Sequence, residues 1–199
     1  MKRVMIAMSG GVDSSVAAYL SVRNGFDCMG MTMRLFPASK DDSRDAQAVA
    51  QRLGIPFQVF DYAGEFRTCV IDRFVSAYER GETPNPCIDC NKYLKFGRIF
   101  QQMDELGYDD VVTGHYARIV PDGKRFLLKK GLDESKDQSY VLYGLTQAQL
   151  ARTQFPLGEL TKAETRQIAQ EQGFLNAGKQ DSQDICFVPD GDYASYIEE

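Results

Sequence analysis

The sequence predicts an α/β fold, a Rossmann-like parallel sheet with flanking helices and a small C-terminal segment. Strand-like and helix-like segments alternate through the first half of the chain, which is the pattern of a parallel sheet. The first apolar run meets two glycines and then a helical pattern, giving the order strand, turn, helix. Of the 199 residues, 43% are hydrophobic, enough to form a buried core.

The first elements are short apolar runs and periodic segments closed by turn residues. Val4 to Met8 predicts a strand, and the helical pattern of 14–23 ends at Asn24 and Gly25. By the same reasoning, we expect strands at 28–35 and 57–60 and helices at 43–53 and 66–78.

The middle of the chain contains a loop and then a strongly periodic helix. Residues 81–90 include two prolines and have no usable period, which predicts a loop. Asn91 stands where an N-cap belongs. The helix after it should bury one apolar face, formed by Phe96, Ile99, Phe100, Met103 and Leu106.

The remaining elements are a strand, a hairpin and a capped helix. Residues 110–113 resume the sheet, and 116–120 with 125–129 predict a hairpin. Thr161 and Glu164 form a capping box for a helix that stops at Gly173.

Ser9 to Ser15, with the sequence Ser-Gly-Gly-Val-Asp-Ser-Ser, lies between a predicted strand and a predicted helix. Backbone N–H groups and the helix dipole at such a position favour an anion. The glycines allow close approach of the backbone, and the serine hydroxyls can donate to phosphate oxygens. Asp13 would repel bare phosphate, so we expect it to hold Mg²⁺. The sequence lacks the Gly-Lys-Ser/Thr of kinase-type loops.

The five cysteines are an odd number and do not suggest a disulfide framework. Cys90 precedes the predicted helix, whose dipole would lower its pKa and favour the thiolate. Cys186 lies in a polar segment that suits a mobile carrier loop, whereas Cys28 and Cys69 should be buried.

Two metal alternatives stay open for the cysteines. Cys87 and Cys90 could be half of a zinc site, although no second pair follows and the chain has one histidine, His115. Alternatively, Cys87, Cys90 and Cys186 could ligate three irons of a [4Fe-4S] cluster.

Five motifs together resemble the tRNA 2-thiouridylase family called MnmA, a branch of the PP-loop ATP pyrophosphatases with an adenine nucleotide alpha hydrolase-like fold. They cover most of the chain. The phosphate loop is typical of the whole superfamily, while Asn-Pro-x-x-x-Cys-Asn-Lys and Lys-Asp-Gln-Ser-Tyr are specific to this branch. The motifs lie at 9–15, 83–96, 113–116, 136–140 and 181–187.

The resemblance implies an ATP site and a substrate site. The residues that would bind ATP are Ala7, Met8, Ser9, Gly10, Gly11, Val12, Asp13, Ser14, Met33 and Gly114. Those that would line the pocket of a flipped-out uridine or touch tRNA are Asn85, Pro86, Cys87, Lys136, Asp137 and Gln138.

The resemblance also implies a reaction. The enzyme would adenylate the C2 carbonyl of wobble uridine 34 in the tRNAs for Lys, Glu and Gln, consuming ATP with Mg²⁺. Cys186 would carry a persulfide supplied by a sulfur-donor protein, and Cys90 would be the partner thiol.

Members of the family usually continue beyond this point. We therefore expect residues 1–145 to form the ATP-binding catalytic domain and residues 146–199 a partial linking region with the second catalytic cysteine. We also expect the C-terminal tRNA-binding barrel of the family to be absent. The region 36–45 is also short for the family. The formal charge of −5 suggests weak RNA binding, so a partner protein would supply the missing tRNA-binding domain.

No apolar run approaches the ~20 residues that cross a bilayer, and residues 1–6 do not resemble a signal peptide. We expect a cytoplasmic protein with no membrane partner. Two rival hypotheses remain: a PP-loop synthetase that uses ammonia and needs no cysteine pair, and a non-catalytic or partner-dependent homologue that binds nucleotide or tRNA.

Overall fold

Five parallel strands form the central sheet, in the order β3-β2-β1-β4-β7. The computed structural model describes residues 1–36, 40–181, 185–188 and 191–198, with the backbone alone for 40–42. The strands of the sheet are β1 Arg3–Ala7, β2 Asp27–Arg34, β3 Phe57–Asp61, β4 Asp110–Thr113 and β7 Thr153–Gln154. A separate antiparallel hairpin consists of β5 Ala117–Asp122 and β6 Arg125–Lys130. The predicted parallel sheet and hairpin are confirmed.

Helices cover both faces of this sheet. Those of regular α geometry are α1 Val12–Arg23, α2 Lys40–Leu53, α5 Gln147–Ala151, α6 Lys162–Glu171 and α7 Tyr193–Glu198. Two further helices contain π-helical segments. Helix α3 runs through Ala63–Phe66, the π segment Arg67–Ile71 and Asp72–Glu79, and α4 runs through Pro86–Asp89, the π segment Cys90–Arg98 and Ile99–Glu105. Short 3-10 turns occupy Glu134–Lys136 and Ser139–Val141.

Side chains of β1 divide between two hydrophobic cores because successive residues of a strand point to opposite faces. Val4 and Ile6 pack into a cluster that also contains α1, α2 and α6 residues. Met5 packs on the other side, in a cluster that also contains Phe66 and Ile99 of α3 and α4. With both faces covered, the central strands can be almost entirely apolar.

The start of α4 differs from the sequence prediction. Its N-cap is Asn85, whose side chain accepts a hydrogen bond from the Cys87 amide at 3.1 Å, and Pro86 fills the first helical position. Proline is well suited to that position because the amide there has no helical partner. Residues 86–90 are therefore helical. The prediction of a loop is wrong for these residues, and so is the prediction of an N-cap at Asn91.

Two details of α4 follow from this earlier start. Asn91 is buried inside the helix, and its side-chain amide donates to the Cys87 carbonyl at 2.8 Å. At the other end, the helix stops at Glu105, so Leu106 leaves the predicted apolar face and is 37% exposed. Phe96, Ile99 and Met103 are fully buried as predicted.

The packing continues past residue 145, the predicted end of the catalytic domain. Strand β7 hydrogen bonds to β4 in the central sheet, and α6 packs against α1. The Thr161 and Glu164 capping box is present, and Gly173 closes the helix with φ 61°. The domain boundary at residue 145 stays a prediction.

Across the described ranges, no helix is both long and apolar enough to span a bilayer.

The hairpin is held close to the segment before α6 at a glycine. A Cβ on Gly158 would overlap the Ala117 carbonyl oxygen and lie 3.0 Å from its carbon. We expect Gly158→Ala to lower the free energy of unfolding by about 1–3 kcal/mol, the usual cost of overpacking. Urea unfolding measures the change. Gly178→Ala is the matched control, because a Cβ there meets nothing within 4 Å, and equal midpoints for the two variants would contradict the prediction.

Candidate functional site

The predicted phosphate loop joins β1 to α1 at the carboxyl edge of the sheet. Gly10 has φ 77°, a left-handed conformation that favours glycine. Gly11 is the N-cap of α1 and has no side chain to occupy the first amides of the helix. The first amides of a helix have no partner within it, and its dipole is positive at this end. The loop therefore presents donors and positive potential to an anion.

Two of the three serines shape the loop itself. The Ser14 hydroxyl accepts from the Ser9 amide at 3.1 Å and contacts the Gly11 carbonyl at 3.1 Å. The Ser15 hydroxyl donates to the same carbonyl at 2.9 Å. Ser14 and Ser15 are buried, whereas Ser9 is exposed, so Ser9 is the hydroxyl of the three best placed to reach a ligand.

Strands β1, β2 and β4 bring together the predicted nucleotide residues outside the loop. Ala7 pairs with Met31 and with Thr113. Met33 therefore lies two residues beyond this line on β2, and Gly114 one residue beyond it on β4. The chain leaves β1 and β4 at the point where strand order reverses, the usual position of ligand sites in open α/β sheets.

Gly114 contacts the start of α1 so closely that no other residue fits. A Cβ at this position would lie 2.8 Å from the Asp13 carbonyl carbon and 2.8 Å from the Ser14 nitrogen. Both are backbone atoms, so the phosphate loop itself would have to move. Gly114 thus sets the position of the loop relative to β4.

Asp13 lies in the first turn of α1 and is ion-paired with a residue of α6. Lys162 contacts its two carboxylate oxygens at 2.7 and 2.8 Å, and the Tyr116 hydroxyl donates to one of them at 2.9 Å. Asp13 is half-buried. Its contacts join α1, α6 and the segment after β4.

The donors near Asp13 fit Mg²⁺ held mainly by a nucleotide. This ion prefers six oxygen ligands and keeps several waters, so one or two carboxylates with substrate phosphates are enough. Asp13 would supply one carboxylate if Lys162 released one of its two oxygens. In the part of the chain that the structure describes, no three His, Cys, Asp or Glu side chains form a metal-binding group.

Lys162 and Asn176 are two loop-contacting residues that the sequence analysis missed. Asn176 is buried, and its side-chain amide donates to the Gly10 carbonyl at 2.9 Å and to the Ser15 hydroxyl at 3.0 Å. Lys162 had a sequence signal, because a lysine at the first position of a helix opposes the helix dipole and needs an anionic partner. Asn176 follows a glycine turn and had none.

Asp181 extends this ion pair into a cluster. It accepts contacts from Lys162 at 2.7 Å, from Arg166 at 2.9 Å and from Lys136 at 3.0 Å. Burial opposes ionisation of Asp181, but the hydrogen bonds from Lys162 and Lys136 outweigh it and lower its pKa. The Asp181 carboxylate therefore stays charged and binds three cations.

The three cysteines predicted to act in the site lie close enough to influence one another's pKa. Cys87 is exposed in the first turn of α4, Cys90 begins its π segment, and Cys186 lies in the C-terminal segment. The pKa of Cys186 is raised to about 12. Burial is the largest cause, and the nearby Cys90 and Cys87 also raise it. The Cys186 residue also keeps solvent-exposed surface.

The predicted thiolate at Cys90 is wrong. Cys90 lies inside a continuous helix, four residues after its start, so the helix terminus is at Asn85 instead. Burial of the thiol raises its pKa, and Lys95 only partly opposes this. Both Cys90 and Cys186 are therefore protonated at neutral pH, and a base or a substrate must assist before either acts as a nucleophile.

Cys186 is followed at once by a hydrophobic anchor. The Phe187 ring lies 5.7 Å from Phe66 and 5.3 Å from Phe74, in edge contacts, and Val188 is fully buried beside them. Residues 182–184 of the same motif lie outside the described residues. The predicted carrier loop is thus fixed on its C-terminal side.

The residues do not fit a metal cluster as they are arranged. Three thiols are the right donors for iron, but the described residues contain no group of three metal ligands. His115 does not complete a zinc site either, because it is buried with its Nδ1 2.6 Å from the Thr113 hydroxyl. Burial, with Lys95, lowers the pKa of His115 well below its usual value.

The other two cysteines differ in their burial. Cys28 is buried, and burial raises its pKa to about 11, as expected for a core thiol. Cys69 is half-buried in the π segment of α3 rather than fully buried.

The predicted tRNA-contacting residues are hydrogen bonded within the protein. Asp137 accepts from the amides of Gly131 and Ser139 at 3.1 and 3.2 Å, and Gln138 accepts from the Tyr116 amide at 3.1 Å. Lys136 contacts Asp181. These bonds hold the 3-10 turns against the residues that follow β4.

Comparison with solved structures shows the class of fold. The chain superposes on the U34-tRNA thiolase NcsA from Methanococcus maripaludis with a TM-score of 0.61, covering 94% of this chain and 61% of that one at 16% identity. A predicted subunit of tRNA methyltransferase from Methanocaldococcus jannaschii gives 0.56, with 86% and 77% covered at 19% identity. These likenesses show the fold, an α/β domain built on a five-stranded parallel sheet.

The sequence comparisons show the particular family. The profile described as "tRNA methyl transferase HUP domain" matches residues 2–190, and the chain belongs to that family. It is 48% identical to the tRNA-specific 2-thiouridylase MnmA of Lachnoclostridium phytofermentans over 100% of this chain and 60% of that protein. The MnmA of Clostridium acetobutylicum is 46% identical, with 98% and 59% covered. The chain therefore spans about 60% of the length of these curated relatives.

The protonated state of the two thiols is testable by alkylation. Because the pKa values of Cys186 and Cys90 are raised, the iodoacetamide reaction of each should still be accelerating with pH at about pH 9, where an ordinary thiol is levelling off. Peptide mass spectrometry resolves the sites. Glutathione in the same tubes is the control, since an ordinary thiol with a pKa of ~8.5 levels off in this range. A plateau at Cys90 below pH 8 would restore the thiolate hypothesis.

Proposed function

We propose that this domain catalyses the ATP-dependent 2-thiolation of wobble uridine 34 in tRNAs for Lys, Glu and Gln. The observation that carries the proposal is the presence of a phosphate loop and three mutually interacting cysteines in one fold. Asp181 contacts Lys162, which contacts Asp13 of the loop, and Cys186 follows five residues later. Five residues span at most about 17 Å, so the sulfur site and the nucleotide site are neighbours.

The first step is activation of the base. The N-terminus of α1 binds the phosphates of ATP, while Met33 and Gly114 border the nucleotide on the adjacent strands. The uridine O2 attacks the α-phosphorus, pyrophosphate leaves, and the oxygen becomes part of an AMP leaving group. Mg²⁺, held by Asp13 and the phosphates, would neutralise charge on the leaving pyrophosphate.

The second step is transfer of sulfur. The terminal sulfur of a Cys186 persulfide attacks C2 and AMP leaves with the former carbonyl oxygen. Cys90 then attacks the Cys186 sulfur, which breaks the S–S bond, leaves the sulfur on the base and forms a Cys90–Cys186 disulfide. A thiol reductant restores both cysteines. The electrostatic effect of Cys90 on the pKa of Cys186 indicates that the two thiols are near one another, which supports this pairing.

The substrate must present its base outside the anticodon stack. Asn85, Pro86 and Cys87 form the start of α4, next to Cys90, and we assign them to the pocket of the extruded uridine. Lys136, Asp137 and Gln138 would border the RNA. The partners proposed are the tRNA, a sulfur-donor protein and the tRNA-binding part of the longer relatives, all in the cytoplasm.

The adenylation step predicts the effect of Asp13→Asn. The amide keeps the shape and the Tyr116 contact but cannot neutralise a metal ion, so AMP formation with tRNA should fall roughly 100-fold or more. Release of labelled AMP and pyrophosphate, with Mg²⁺ and a tRNA for Glu, measures the rate. Asp109→Asn, at a carboxylate away from the loop, is the control. Wild-type AMP release by Asp13→Asn would remove Asp13 from the mechanism.

The sulfur steps predict different losses for the two cysteines. Cys186→Ser should abolish both persulfide loading and thiolation, whereas Cys90→Ser should keep loading and lose thiolation. Both variants should keep AMP formation, because ATP is bound by the loop. Mass spectrometry locates the added sulfur, and mercury-gel retardation of the tRNA reports 2-thiouridine. Cys69→Ser is the control thiol.

Outcomes of that experiment separate the hypotheses. If the added sulfur maps to Cys87 or Cys90, the order of sulfur transfer is wrong. If both variants retain thiolation, the reaction needs no cysteine pair and the proposed sulfur steps are wrong. If the wild type forms AMP but no 2-thiouridine, an ammonia-type synthetase becomes the better assignment.

A further inference from the structure

We propose that Lys95 supplies the positive charge of the sulfur site and stabilises the sulfur anions that form there during transfer. The inference rests on the proposed function, in that Cys186 carries a persulfide and Cys90 resolves it. Two anions form in those steps: the terminal sulfur of the persulfide before it attacks C2, and the Cys90 thiolate before it attacks the Cys186 sulfur. The Lys95 ammonium lowers the free energy of both anions and keeps its proton.

The first support is the π-helical geometry of the segment Cys90–Arg98. A π-helix closes its hydrogen bonds between residues five apart, so Lys95 lies about one turn beyond Cys90 and on the same side of the helix. In a regular α-helix, the same five residues would place Lys95 roughly 140° around the axis from Cys90. Gly97 shows the same close spacing, because a Cβ there would lie 3.1 Å from the carbonyl oxygen of Lys92, five residues earlier.

The second support is that Lys95 has no carboxylate of its own. Within the described ranges, its side chain forms no hydrogen bond and no ion pair, although the residue is half-buried. Carboxylates on and beside this helix are paired elsewhere, Asp89 with Arg73 at 3.0 Å and Glu65 with Arg98 at 2.9 Å. A half-buried cation without an anion loses hydration and has no compensating interaction. Its charge is therefore available to an anion that appears only during the reaction.

The third support is that Lys95 acts on both thiols of the proposed transfer. Burial raises the pKa of Cys90 and that of Cys186, and Lys95 opposes the rise at each of them. Cys87 acts in the opposite direction on both, and its charge would disfavour a second sulfur anion. Since the interaction between charges falls with distance, Lys95 must lie close to the two thiols. It is a cation that the two sulfur atoms share.

Two neighbouring basic residues do not take this role. Burial, together with Lys95, lowers the pKa of His115 well below its usual value, so its ring is neutral at neutral pH and adds no charge. Lys92 belongs to the same π segment, but it is exposed, and its ammonium lies 5.0 Å from the centre of the Tyr93 ring. Lys92 is therefore the matched control for Lys95.

The test follows a partial reaction that needs neither ATP nor tRNA. The protein is loaded with sulfur from glutathione persulfide and desalted. Cys90 then attacks the inner sulfur of the Cys186 persulfide and the S–S bond breaks. The products are a Cys90–Cys186 disulfide and hydrogen sulfide, which takes up the proton of the Cys90 thiol. A fluorescent sulfide probe measures the rate, and the Cys90→Ser protein gives the background because it lacks the attacking thiol.

Three variants separate the charge of Lys95 from its shape. In Lys95→Met, sulfide release should fall roughly tenfold, less than the loss of a fully buried donor causes. Lys95→Arg should retain most of the rate, since the guanidinium keeps the charge. Lys92→Met should release sulfide at the wild-type rate. Lys95→Met should also keep the wild-type midpoint of urea unfolding and its AMP formation with tRNA, because Lys95 has no partner to lose and ATP is bound by the loop.

Two results would overturn the proposal. One is sulfide release at the wild-type rate in Lys95→Met, and if tRNA binding weakens in that variant, Lys95 contacts the RNA instead. The other is an equal loss in Lys95→Arg and Lys95→Met, which would mean that Lys95 transfers a proton or fills space. Failure of the proposed function looks different: the wild type loads no sulfur on Cys186, or it forms no AMP and no 2-thiouridine with tRNA.

Discussion

The close contact between Gly114 and the first turn of α1 is the constraint on which the rest of the site depends. The end of β4 lies against the backbone of Asp13 and Ser14, at distances where even one methyl group does not fit. Asn176 fixes the other side of the loop through the Gly10 carbonyl. The anion-binding end of α1 is thus clamped between the sheet and the C-terminal half of the chain, and its amides need no rearrangement to meet a ligand.

The chemistry of the cysteines depends on a different principle, namely desolvation. The helix terminus does not activate Cys90, and burial keeps both Cys90 and Cys186 as thiols. Protonated thiols are poor nucleophiles and are also less prone to oxidation and to premature exchange. In the proposed reaction, such a site would stay unreactive until a persulfide is loaded, since the terminal sulfur of a persulfide is a stronger nucleophile than a protonated thiol. Reactivity is then governed by the substrate rather than by the resting protein.

Much of the fold was predictable from the sequence because its signals are local. The strand at 110–113, the hairpin, the capping box of Thr161 and the stop at Gly173 each depend on a few neighbouring residues. The start of α4 was not predicted, because Asn85 and Asn91 are both reasonable caps and only the packing of Pro86 decides between them. The π segments were also not predicted, since nothing in the apolar period distinguishes them from α-helix.

The candidate site was also predictable only where its signals are local. The loop was identifiable from its glycines and serines, but its ion pair was not, because Lys162 is 149 residues from Asp13. The pKa of Cys90 was predicted with the wrong sign, since burial is a tertiary property and outweighs the local effect of a helix end. Long-range contacts and desolvation are the properties of this site that could not be predicted from the sequence.

The π segment of α4 has a consequence for how this helix tolerates changes in length. Cys87 and Cys90 lie at or before the start of the π segment Cys90–Arg98, and the buried Ile99 and Met103 lie after it. One residue of α-helix corresponds to a rotation of about 100°. A single deletion within 91–98 would therefore turn the two thiols about the helix axis while the buried end stays packed. For this helix, the number of residues between thiol and core determines where the sulfur atoms point.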